Sequence, residues 1–122
     1  MTAIILSMLL SLAQPTLTAA DATVVVSGTT ASVYLTINNP TMYAIYVVSA
    51  TSNAAGKVEI YSGDKVAQDL TVSSYGALEL KAGGMFLRLS DLKSALKAGE
   101  LITVTMMTDG GVTIVATAVV KN

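Results

Sequence analysis

Methionine is the one soft metal ligand this sequence offers. Its 122 residues hold six methionines, no cysteine and no histidine. Thioether sulfur suits Cu(I), so the methionines beyond the N-terminal apolar run are candidate ligands: Met42, Met85, Met106 and Met107. Met106 falls on the inward phase of an alternating segment and reads as core, where the flexible thioether packs well. Met107 takes the outward phase. Met42 and Met85 stand near loops and are the weak candidates for a Met-only Cu(I) site. The missing residue types exclude more. Without His or Cys there is no Ser-His-Asp or Cys-His nucleophile, no thiolate or disulfide, and no zinc site of the usual N/S kind.

Paired carboxylates could still serve a hydrolase. The candidates are Glu59, Asp64, Asp69, Glu79, Asp91, Glu100 and Asp109. They fall mostly in turns or on outward strand phases, where solvated surface is the ordinary outcome. Asp109-Gly110-Gly111 has the composition of a type I′ hairpin turn. Gly83-Gly84 precedes a strand rather than a helix, so it builds no phosphate cradle. Asp64 and Asp69 are too sparse for a calcium loop. The residues therefore predict no catalytic set and no cofactor, and the chain is not expected to be an enzyme.

The elements that position these residues read as strands. Val24-Val25-Val26 is a short β-branched run broken at Gly28. Val33, Leu35 and Ile37 alternate with polar neighbours, as do Val58 and Ile60, Leu70 and Val72, Leu78 and Leu80, and Ile102, Val104 and Met106. Tyr43 to Ala50 forms a longer apolar strand after the turn cluster Asn38-Asn39-Pro40-Thr41. Met85 to Leu89 and Val112 to Val120 are further strands. Asp91 to Leu96 has room for one helical turn capped by Asp91. Eight or nine short strands with turns at regular spacing predict an all-β fold, an antiparallel β-sandwich. Parallel pairing would call for crossover helices, for which there is no room.

Ala3 to Ala13 is an apolar run too short to span a bilayer, which takes about 20 residues. Small residues follow it at Thr18-Ala19-Ala20 and Ala20-Asp21-Ala22, which suits a signal peptide over 1–22 with cleavage near 20–22. No Lys or Arg precedes the run. With no cysteine in the sequence, a lipid-anchoring cysteine is excluded as well. The expected domain is 23–122, periplasmic or secreted. It carries seven basic and seven acidic residues. That neutral balance gives no electrostatic case for nucleic acid or a membrane surface.

Four blocks stand in a telling order: Tyr34-Leu35-Thr36-Ile37-Asn38-Asn39; Val47 to Ser52 leading into Val58-Glu59-Ile60-Tyr61; Ala77-Leu78-Glu79-Leu80-Lys81-Ala82-Gly83-Gly84; and Leu92-Lys93-Ser94-Ala95-Leu96-Lys97-Ala98-Gly99-Glu100. Over nearly the whole of 23–122 this resembles the PCu(A)C family of periplasmic copper chaperones, whose members read AYLTIxN, VEIH, VELKPGGYHxMLM, GLKxPLKxGD and LTLTFExGG in that order. The resemblance implies an immunoglobulin-like or cupredoxin-like sandwich. It also implies Cu(I) as cargo and a protein partner in cytochrome c oxidase assembly.

The family's copper ligands are a His ending VEIH, a Met in the following loop, and an HxM pair. Here Tyr61 takes the first His position, Phe86 the second, and Arg88 the paired Met. The segment Ser62 to Asp69, where the loop Met belongs, holds none. The resemblance thus implies a family fold with its metal ligands lost. A fixed charge at Arg88 would oppose a bound cation by roughly 4 kcal/mol at 4 Å and an effective dielectric near 20. Three functions follow as expectations. The first is a degenerate family member acting as a non-catalytic binding or interaction module. The others are a Cu(I) chaperone using Met42 and Met85, and a structural or adhesin-like subunit joined through its sheet edges.

Overall fold

The computed structural model describes residues 17–121. The chain is all β: β1 (Thr18–Ser27), β2 (Thr30–Asn38), β3 (Ile45–Ser52), β4 (Ala55–Ser62), β5 (Lys65–Val66), β6 (Leu70–Val72), β7 (Ala77–Glu79), β8 (Met85–Leu92), β9 (Leu101–Thr108) and β10 (Thr113–Lys121). Hydrogen bonding runs β5-β4-β8-β2-β1-β10-β9-β3-β6, with β7 also on β2 and a β3–β4 contact at Ser52 and Ala55. The sheet therefore folds over on itself into a barrel-like sandwich, with β5-β4-β8-β2 as one wall and β10-β9-β3-β6 as the other.

Alternation places the core as expected. Val33, Leu35, Ile37, Ile60, Leu70, Val72, Leu80, Ile102, Val104 and Met106 are buried, and Val58 and Leu78 pack half-buried against them. Leu87 and Leu89 of β8 complete the wall from the site side.

The structure departs from the sequence reading at four places. First, β1 and β10 pair in parallel, Thr23 with Val119 and Val24 with Val120. No crossover helix is needed, because the whole intervening domain makes the connection. Second, the segment after Ser90 is not helical: β8 runs on to Leu92, held by pairing of Leu92 with Ala55. Asp91 adopts φ 55° within it. Its carboxylate occupies the space a Cβ on Gly56 would need, so the glycine and the left-handed aspartate fit as a pair.

Third, the β9–β10 hairpin is not type I′, which needs two successive positive φ values. Only Gly111 is left-handed there (φ 85°). Thr108 closes a three-residue loop by donating its N–H to the Val112 carbonyl at 3.0 Å. Fourth, the described residues form ten strands rather than eight or nine: the tight Gly63-Asp64 turn adds β5. The described N-terminal segment also enters the sheet early. Thr18, Ala19 and Ala20 pair with Asn38, Ile37 and Thr36, followed by a bulge at Asp21 and Ala22. The rest of the expected leader lies outside the described residues.

Candidate functional site

Three strands place the residues singled out from the sequence. Tyr61 of β4 stands directly opposite Phe86 of β8, and Glu59 opposite Arg88. Side chains two apart share a face, so Tyr61, Glu59, Phe86 and Arg88 all point away from the core. On the other side of β8, Ser32 of β2 pairs with Arg88, which brings Tyr34 alongside Phe86. The three residues that stand at family ligand positions, Tyr61, Phe86 and Arg88, are thus gathered on one outer patch.

The patch is a stack. The Tyr61 and Phe86 rings lie 5.6 Å apart between centroids at 21°. Tyr34 tilts against Phe86 from the other side at 6.1 Å and 60°. The Arg88 guanidinium carbon sits 4.4 Å from the Tyr61 centroid and 5.8 Å from that of Phe86. Phe86 is consequently 7% exposed although it points outward. That explains why Phe86 and Leu87, on opposite faces of β8, are both buried.

Arg88 is half-buried, and its Nε is enclosed without a hydrogen-bond partner. Glu59, its cross-strand neighbour, instead approaches Lys57 at 3.7 Å, a solvated pair of little energetic weight. The patch offers aromatic faces and a cation, and no imidazole or thioether. It is chemically suited to packing against another surface, since aromatics and Arg are favoured anchors of protein interfaces. None of these groups is a soft ligand of the kind Cu(I) prefers.

The methionines divide. Met106 is fully buried, as its phase required. Met107 is exposed on β9 and Met42 is exposed in the β2–β3 connection. Met85 opens β8 opposite Ser62 and is half-buried against the core. No cluster of three or more acidic side chains able to hold a metal occurs among the described residues.

Two features escaped the sequence reading. Alternation marks Tyr34 only as an outward neighbour of Val33 and Leu35; its place beside Phe86 depends on the pairing of β2 with β8. Asn39 lay in a turn cluster, yet it is buried at 1% exposure. Its Nδ2 donates to the carbonyls of Tyr43 (2.7 Å), Ser73 (3.1 Å) and Val72 (3.3 Å), while its Oδ1 accepts from Thr41 N and Oγ1. It ties the β2–β3 connection to the end of β6.

A family model described as "Putative lipoprotein LpqE-like" matches residues 10–120. Among solved structures, a copper-bound PCuAC domain from PmoF2 matches with TM-score 0.78 and 13% identity, over 89% of this chain and 95% of that one. The apo PCuAC domain from PmoF1 gives 0.77 and 21%, over 88% and 94%. The solution structure of CuI-DR1885 from Deinococcus radiodurans gives 0.70 and 28%, over 86% and 76%. No curated protein matches the chain.

Proposed function

Because the chain belongs to the LpqE-like family and has the PCuAC fold, we propose that it works outside the cytoplasm as a copper-chaperone-family domain that no longer carries copper, as a non-catalytic binding module. The observation that carries this reading is the Arg88–Tyr61–Phe86 stack. It fills the positions that the resemblance marks as ligands with groups that are poor donors to Cu(I), and it adds a permanent positive charge. The same groups suit contact with a protein partner. Cytochrome oxidase assembly, which the resemblance implies, is one class of partner to screen first.

An anaerobic Cu(I) titration against a chromophoric chelator tests the proposal. The expected result is that copper stays with the chelator. Uptake of one equivalent that disappears in Met85→Leu would overturn it in favour of a Met site.

A further inference from the structure

Charge is distributed unevenly between the two walls. The β4–β8 wall presents Lys57, Glu59 and Arg88. On the opposite wall, the outward positions of β10, β9 and β3 are threonine, serine, valine, leucine, tyrosine and methionine. Among the described residues of those strands, the single charge is Lys121 at the end of β10. Large apolar side chains stand open there: Val115 is 60% exposed and Leu101 62%, with Val119 and Met107 also exposed. Register makes the face continuous. Val119 stands beside Leu101 on β9 and Thr23 on β1; Val115 stands beside Thr105, itself beside Thr51 on β3.

We propose that this face is a self-association surface, on which a second copy of the chain packs sheet to sheet. Two arguments select that occupant. Apart from Lys121 at the end of β10, the face carries no charge for a charged partner to complement, and its centre meets itself about a two-fold axis without like-charge repulsion, as an isologous contact requires. Depletion of charge is also the compositional mark of an interface centre. The area is sufficient. With β1 counted beside β10, β9 and β3, four strands about 4.8 Å apart and about eight residues long cover roughly 500 Å² per copy in projection, and a specific interface needs about 1,000 Å² in total. The inference is independent of the Arg88 patch, which lies on the other wall and stays accessible in the dimer.

Sedimentation equilibrium of the intact chain tests it. The expected result is a monomer–dimer equilibrium whose dissociation constant rises about a hundredfold or more in Val115→Lys, through like charges brought face to face. Circular dichroism checks that the variant is folded, and Thr117→Lys serves if it is not. The chain has no cysteine, so Thr117→Cys supplies a unique thiol. A short bismaleimide should join two copies through it, and should not do so through Lys65→Cys on the other wall. A wild-type monomer up to about 1 mM, or a dimer indifferent to Val115→Lys and Thr117→Lys, overturns the proposal. So does a monomer that instead binds neutral phosphatidylcholine vesicles or peptidoglycan through Val115, which would assign the face to those surfaces.

Discussion

Arg88 holds its guanidinium 4.4 Å from the centroid of the Tyr61 ring, across the β4–β8 ladder. A half-buried cation–π contact is worth about 0.5–2 kcal/mol. Against it stands the enclosed Nε with no partner, which takes back part of that gain. Arg88→Ala should therefore lose only about 1 kcal/mol in urea denaturation. Arg88→Lys should recover little, because an ammonium cannot lie flat on the ring. A loss well above 2 kcal/mol would mean that the stack braces the wall in some further way.

Installing the ligands that the family resemblance implies should confer uptake of Cu(I). Tyr61 and Phe86 already face each other, and Arg88 lies two residues along the same face. Tyr61→His, Phe86→His and Arg88→Met together should take up one equivalent of Cu(I) under conditions where the wild type takes none. If the triple variant folds and still leaves copper with the chelator, these three positions are not the family's site.

Gly56 and Asp91 should behave as a coupled pair. A methyl group at Gly56 would collide with the Asp91 carboxylate, so Gly56→Ala should cost about 1–3 kcal/mol. Asp91→Gly removes the obstruction and relieves the left-handed backbone at φ 55°. It should be neutral or stabilising alone, and it should rescue Gly56→Ala in a double-mutant cycle. Additive effects would refute the coupling.

Asn39→Asp should be worse than Asn39→Ala. The alanine loses the bridge and costs about 1–3 kcal/mol, while the Ser73 and Tyr43 carbonyls keep the bonds they accept from Gly76 N and Thr41 Oγ1. The aspartate keeps the shape but sets a carboxylate against the carbonyls of Tyr43, Val72 and Ser73. Those carbonyls disfavour its charged form, so its folded pKa rises above the unfolded value. The penalty then shrinks as pH falls below that raised pKa. Denaturation of both variants at two pH values would check the order and the sign.

Much of the wall-and-core plan was legible because alternation is a local signal. Val33, Leu35 and Ile37 announce a buried face without reference to any partner, and block order added the fold. What alternation cannot supply is pairing. The place of Tyr34 beside Phe86, the parallel match of Thr23 with Val119, and the carboxylate over Gly56 all depend on which strands meet. The helical turn expected at Asp91 failed for the same reason: a plausible cap lost to a ladder partner at Ala55. Asn39 looked like turn chemistry, and its burial became visible only once β6 ended beside it. Tyr61, Phe86 and Arg88 were individually identifiable through the resemblance, and their mutual stacking was not.

The first long strand lies against the last one in the same direction. Neither wall can be sealed until residues near position 120 have emerged and returned to meet residues near position 23. Contacts of that sequence separation are slow to form, so a growing or threading chain stays open along its whole length and then locks late. Loss of the final strand would leave β1 and β9 with bare ladders at once, and a chain cut short by ten residues should be recovered as aggregate rather than as a smaller domain.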